Sequence, residues 1–594
     1  MVRIVQMNWH SSSRHLLLVA VALLATVSCK KRAAWEEGKK VAHLALRAKV
    51  GTLDPIRTSS SYDNEVQSQM YEGLFTYKYL VRPYQLEPLL AKSMPTVSED
   101  GLTYTIDIRE GVLFHDDKCF PNGKGRELVA RDFVYSFKRM ADSKNSPTGW
   151  WIFADRILGF DEFQKRMGDR GEAPFGWDEK VEGLQAIGKY QLQIKLVRPF
   201  PQLLYVLAMG YSFVLPRECA EFYGKEIVTH PVGTGAFRLR EWVPGSRFIL
   251  DKNPSYRDVR YPSEASPEFE HLLGDAGKRV PFLDAIVYHV FERDQPMWLK
   301  FRVGDLDMSQ MPPEYHSDVL DEDLNLRPNF VEEGISNYNL KLLDMIYRGF
   351  NMEDPIVGQG EKAKLLRQAI SLAYDSTELN DAFYNNTAVL YDAPVPPGLD
   401  SYVPGITSPY RGPNLEKAKE LMIKAGYPGG KGLPTIVYDT STGGNIPEQA
   451  EMTARALKRI GVNIEVKLNS FSELSNKLKK KKSQMFGLAW GADYPDAENF
   501  LQLFYGPNEA PGSNNFNYKK DEFDALYNAS RILQPGPERT ALYQNMREIL
   551  IEDAPSFGHM ARTRYYLWHR RLKNVLPDEV FDGWRKYLDI RITE

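Results

Sequence analysis

Between Gly432 and Leu468 the sequence runs "GLPTIVYDT", then "EQAEMTARALKRIGV", then "NIEVKL". That order is strand, helix, strand. A helical crossover returns the chain so that the second strand runs in the same direction as the first, which commits this region to a parallel or mixed sheet with helices packed on it. Other segments fit the same α/β plan. "SYDNEVQSQMYEGLF" sets Val66, Met70 and Leu74 at helical spacing, and "ARDFVYSFKRM" does so with Phe133, Phe137 and Met140. "AKLLRQAISLAY" and "NLEKAKELMIKAGY" are helical, the second with Asn414 able to cap its first turn and Gly426 able to end it. "DGLTYTIDIREGVLF" alternates Leu102, Tyr104, Ile106 and Ile108 on one face, as a half-buried strand does, and "VEGLQAIGKYQLQIKL" is strand-like again. At 594 residues the chain is too long for one core and predicts two or three lobes.

The N-terminus belongs to export rather than to the fold. Arg3 and Arg14 precede the apolar run Leu16–Val27, which is too short to span a bilayer but has the length of a signal h-region. Ser28 before Cys29 has the form of a lipoprotein cleavage site, with Cys29 as the lipidated first residue, although Thr26 stands where such sites usually carry Leu. Residues 1–29 are therefore expected to be a lipoprotein-type signal peptide and 30–41 a tether. The protein is expected in the periplasm or at the cell surface, membrane-anchored through Cys29. The remaining cysteines, Cys119 and Cys219, either pair or stay as buried small residues. The net charge of −3, from 75 basic and 78 acidic residues, carries no signature of nucleic-acid binding.

Motifs for chemistry are sparse. The sequence has no HExxH, P-loop or GxSxG pattern, and no Cys/His cluster that would hold zinc. "FHDD" (Phe114–Asp117) offers a His and two Asp, but adjacent turn residues point apart, so it reads as a turn after a strand. The "GTG" at Gly233–Gly235 suits close backbone approach. No repeats or long polar linkers favour a scaffold. No catalytic residue, cofactor or metal is expected, and ligand binding is the class left.

Nine stretches in order carry a resemblance: "TLDP" with "YEGLF", "SEDGLTYTIDIREGVLFHDD", "VARDFVYSFKRM", "HPVGTGAFRLREWVPG" with "NPSY", "FRVGDLDM", "YRGFNM", "LLRQAISLAYD", "EKAKELMIKAGY" and "WGADYPDAENF". The chain resembles the extracellular solute-binding proteins of family 5, the oligopeptide/dipeptide-binding group serving ABC importers, from about residue 42 to its end. The resemblance implies an α/β fold of the type II periplasmic-binding-protein kind: two lobes with mixed sheets joined by a hinge, plus an inserted subdomain. Lobe I would comprise 42–75, 184–335 and 559–594, the inserted subdomain 76–183, and lobe II 336–558. It also implies a monomeric receptor that captures a peptide between its lobes and delivers it to a membrane permease. A non-peptide solute, such as a sugar or metal chelate, and peptide hydrolysis are the alternatives.

Within "WGADYPDAENF", Asp496 is placed to cap the helix that follows. Asp493 matches the family position that holds a peptide's α-ammonium, where a carboxylate in an enclosed cleft gains from pairing. Trp490 matches a side-chain pocket, Tyr494 adjoins it, and Ser61 falls in the loop whose backbone pairs with an extended peptide. Asp493, Trp490, Ser61 and Tyr494 are therefore the expected ligand-binding residues. Gly487 stands where relatives carry an arginine that anchors short-peptide carboxylates, so that route is absent here. The insertion "DDKCFPNGKGREL" after His115 has no role evident in the sequence.

Overall fold

Val41–Leu46 pairs in parallel with Ala285–Val290 on one side and Met308–Gln310 on the other. Such a strand is covered on both faces, which suits its nearly continuous apolar run "VAHLAL". It lies at the centre of a mixed seven-stranded sheet in the order Ile335–Lys341, Thr563–His569, Met308–Gln310, Val41–Leu46, Ala285–Val290, Arg247–Lys252, Phe237–Val243. This computed structural model describes residues 33–592 apart from 172, 173, 400 and 406. The expected signal peptide and Cys29 lie outside the described residues. Among the described residues no helix is long and apolar enough to cross a membrane. The expected tether 30–41 is partly built in: Ala34–Glu36 forms a turn, with Trp35 under the Arg240 guanidinium at 4.0 Å, and the strand has begun by Val41.

The second lobe rests on a mixed six-stranded sheet ordered Val389–Leu390, Ser556–Ala561, Asp344–Phe350, Met485–Gly491, Ile436–Ser441, Ile464–Asn469. The strand–helix–strand unit of the sequence is Ile436–Ser441, helix Ile446–Lys458 and Ile464–Asn469, with the two strands parallel. The chain crosses between the sheets twice, at Leu342–Leu343 and at Arg562. These crossings lie a few residues beyond the expected boundaries at 335/336 and 558/559, because the strands Ile335–Lys341 and Ser556–Ala561 each complete their pairing before the chain leaves the sheet.

The inserted subdomain also extends past its expected end at 183. Its four-stranded antiparallel sheet is Thr96–Val97, Thr103–Asp107, Gln191–Lys195, Leu184–Gly188. "VEGLQAIGKYQLQIKL" is thus a hairpin rather than one strand, and it pairs with Thr103–Asp107 instead of with lobe I. Apolar side chains as far along as Val214, Cys219 and Val232 share the subdomain's core.

"FHDD" clamps the glycine block. His115 is buried, and its backbone N–H donates to the Gly233 carbonyl at 2.8 Å while Nε2 lies 3.1 Å from the Gly235 carbonyl. Burial pushes its pKa down to about 4, so it is neutral at physiological pH. Gly233 and Gly235 are needed for close approach: a Cβ would meet the Met70 backbone at 2.2 and 2.5 Å, respectively. The insertion after His115 is stapled down. Cys119 and Cys219 form a disulfide with Cα atoms 5.0 Å apart, Tyr223 donates its hydroxyl to Asp117, and Arg126 bridges Asp132 and Glu218. Because the bridge joins residues 100 positions apart, reduction, or Cys119→Ala with Cys219→Ala, is expected to cost about 2–4 kcal/mol of stability. Thermal melts with and without reductant check this, and superimposable melts would reject it.

Candidate functional site

A cavity of about 330 Å³ opens between the lobes. Its first wall is the segment Thr58–Ser61 and the helix Ser61–Gln67. Buried Asp63 shapes this wall: its carboxylate accepts the backbone N–H groups of Gly51, Ser59 and Ser60 at 2.8, 3.1 and 3.2 Å, and Ser60 caps the helix in return. Ser61 borders the cavity as the first residue of that helix and not as a loop residue, because the capping box starts the helix one position before it. Its backbone is therefore in the first turn of a helix rather than extended, with an N–H that has no acceptor within the helix.

The opposite wall comes from lobe II, where the strand Met485–Gly491 runs out into Ala492 and Asp493. The Ala492 N–H donates to the carbonyl of the hinge residue Leu343 at 2.8 Å. Asn499 then grips the loop. Its Oδ1 accepts from Trp490 Nε1 at 2.9 Å and from the Asp493 N–H at 3.1 Å, while its Nδ2 donates to Asp493 Oδ2 at 3.1 Å. This is the single protein hydrogen bond to the Asp493 carboxylate among the described residues, and the residue is exposed to solvent at the cavity. Although it is exposed, the surrounding walls partly desolvate its carboxylate, and this, opposed by Asn499 and Arg156 and aided by nearby Glu498, raises its pKa.

The second aspartate of the motif is used internally. Asp496 accepts the Glu498 N–H at 2.9 Å, which is the expected cap, and also pairs with buried Arg539 at 2.6 Å and accepts from Tyr543. Trp490 and Tyr494 do not line the cavity, contrary to the sequence expectation. The Trp490 ring packs in the lobe II core. Tyr494 is buried, donates its hydroxyl to Glu498 at 2.5 Å, and stacks on Tyr205 with ring centroids 5.8 Å apart. Both serve to fix the loop. Gly487 is likewise packed, since a Cβ there would meet the Tyr438 hydroxyl at 2.4 Å.

The cavity floor was not identified from the sequence. It is the C-terminal stretch "DGWRKY", with Asp582, Lys586 and the preceding Phe581 and Glu579 lining the space. Three charges around a tryptophan, without regular periodicity, were its one signal. Asn64 donates to Asp582 at 2.6 Å, Arg585 pairs with Glu65 at 2.5 Å, and Gln69 donates to the Asp582 carbonyl at 3.0 Å, so the floor is fastened to the first wall. The grouping Asp117, Cys119 and Cys219 has metal-ligand proximity, but both sulfurs are in the disulfide.

A family model described as bacterial extracellular solute-binding proteins, family 5 Middle, matches residues 85–512. Heme-binding protein A of Haemophilus influenzae is 24% identical over 551 residues, 91% of this chain and 91% of that protein. The dipeptide-binding protein of Escherichia coli (strain K12) is 23% identical over 571 residues, 95% of each chain. Among solved structures, the ABC transporter-associated periplasmic binding protein DppA from Helicobacter pylori in complex with peptide STSA aligns with a TM-score of 0.66 at 23% identity, covering 94% of this chain and 100% of that one. This likeness is one of fold.

Burial raises the Asp582 pKa to about 8, against the opposing pull of Arg585 and with a further push from Glu65. Its folded-state value lies above the unfolded one, so its contribution to stability is full below the ordinary aspartate range and is lost as pH rises toward 8. The melting temperature of the native protein is expected to fall between pH 5 and 8 relative to that of Asp582→Asn. Parallel pH profiles would refute this.

Proposed function

The chain belongs to family 5 of the bacterial extracellular solute-binding proteins and has the type II two-lobed fold, and on that premise we propose that it is an exported receptor of an ABC importer. It captures peptides between its lobes as a monomer and presents the closed form to a membrane permease. The observation that carries this reading is Asp493, a carboxylate on the interlobe cavity with one protein donor and lone pairs left over. A peptide α-ammonium supplies the missing partner, and the charge-assisted bond gains strength as the lobes exclude water. Relatives named for dipeptide, di/tripeptide and glutathione binding support the ligand class. Binding requires no covalent step, so peptides incubated with the protein should be recovered intact. Closure is a population shift driven by the ligand's higher affinity for the closed state.

Asp493→Ala is expected to weaken peptide binding at least tenfold by calorimetry, through loss of a hydrogen bond between charged groups. The pH profile gives a second measure. Because the Asp493 pKa is raised, native affinity should begin to fall at a pH above the ordinary aspartate range, whereas the alanine variant should be flat there. Unchanged affinity in the variant would reject the assignment. The receptor is further proposed to be periplasmic or surface-exposed and tethered by a lipid on Cys29. Cys29→Ser should then move it from the membrane to the soluble fraction, and retention in the membrane would reject the anchor.

A further inference from the structure

Of the ionisable groups on the cavity wall, Glu72, Glu579 and Asp582 are each held by other side chains of the protein. Glu72 receives both arms of Arg257 at 2.6 and 3.0 Å, with Thr234 and Tyr256 donating as well. Burial alone would raise its pKa, but Arg257, together with Lys586 and Thr234, outweighs it and the net shift is downward. Glu579 is held by Arg564 and by the Tyr566 hydroxyl. Asp582 has Asn64 and the neighbouring Arg585. What remains is Asp493 on lobe II and Lys586 on the floor.

Lys586 is 6% exposed. Among the described residues no hydrogen bond or ion pair reaches its ammonium, which sits 5.8 Å from the Phe581 ring centroid and 5.1 Å from that of Tyr587. Burial lowers its pKa against the pull of Glu72 and Glu87, neither of which forms an ion pair with it among the described residues, and Glu72 is already bridged by Arg257. A buried ammonium without a hydrogen-bonded anion is costly, so this position is poised for an acceptor from outside the chain. Lys586 also borders an outer groove, where Glu87 acts on it without forming an ion pair and Lys78 and Arg260 are paired with Glu264 and Asp258. On the cavity side, this ammonium without an ion-pair partner borders the same space as the Asp493 carboxylate.

We propose that Lys586 is the carboxylate anchor of this receptor, so that its ligand class is the short peptide with both ends free, ammonium on Asp493 and C-terminal carboxylate on Lys586. The inference rests on the peptide reading above and adds the second end of the ligand. A cavity of about 330 Å³ stands at the small end of the range of roughly 300–1,000 Å³ for ligand sites. A ligand whose two termini are both held inside it must be short. The aromatic pair flanking the ammonium limits its rotamers, so little side-chain freedom is lost when the carboxylate arrives.

The test is calorimetric titration of the mature protein with Ala-Ala and Ala-Ala-Ala, each as the free acid and as the C-terminal amide, for the native chain, Lys586→Met and Lys586→Arg. The native protein should prefer the acids over the amides at least tenfold. Lys586→Met should bind acid and amide alike, near the native affinity for the amide, and Lys586→Arg should keep a preference for the acid. Equal native affinity for acids and amides overturns the inference while leaving the peptide reading intact, and so does a uniform weakening of both by Lys586→Met, which is the mark of a purely structural lysine. If none of the four probes binds the native chain, the peptide reading falls and the inference falls with it. Because acid and amide are compared on the native protein first, the result does not depend on a variant folding.

Discussion

Two lobes can close on a ligand only if the strands that join them act as one pivot, and here a single carboxylate makes them do so. Asp344 is buried where the chain enters the second sheet. Its oxygens accept the backbone N–H of Arg562 at 2.8 Å and its Nε at 2.5 Å, while the Leu342 N–H donates to the Arg562 carbonyl at 2.9 Å. Both crossovers are thereby tied at the same level. Burial raises the Asp344 pKa although Arg562 pulls against it, so the bond is made in a desolvated place where a lost partner is expensive. Leu343, between the two sheets, accepts from Ala492, the neighbour of Asp493. The pivot and the proposed ammonium site are thus joined through one backbone hydrogen bond.

The sheets and their helices were legible because their signals are local. The helix Leu415–Lys424 starts at the Asn414 cap, and the βαβ unit at 436–469 is parallel as its pattern requires. The strand alternation at Tyr104 and Ile106 buries those side chains as its period dictates. Where the reading slipped, a long-range partner decided the outcome. The hairpin at 184–195 carries no mark of which sheet it joins, and its pairing with Thr103–Asp107 moved it out of lobe I. Ser61 became helical because Asp63 and Ser60 form a reciprocal cap.

At the site the same division holds. Asp493 borders the cavity, but its neighbours Trp490 and Tyr494 turn away from it. The direction of a side chain in an irregular loop is set by what can satisfy its polar atoms, here Asn499 for the indole and Glu498 for the phenol. Neither partner is evident from spacing alone. Lys586 was hidden for a different reason. It sits in a short stretch near the C-terminus, and only the folded chain brings that stretch under the helix Ser61–Gln67, several hundred positions away.

The charge inventory of the cavity also explains why an empty closed state would be disfavoured. With the cavity open to water, the Asp493 carboxylate is exposed and hydrated, whereas the Lys586 ammonium is already largely buried. Closing the lobes over water-poor walls would strip that hydration from Asp493 and leave two charges on different segments of the chain without water. Such uncompensated burial costs several kcal/mol per ion. A ligand carrying one ammonium and one carboxylate supplies both counter-charges at once, so the penalty that opposes empty closure is removed when the cleft is filled. The discrimination between empty and loaded receptor then needs no separate sensor. It follows from leaving two opposite charges on the cavity wall without an ion-pair partner among the described residues.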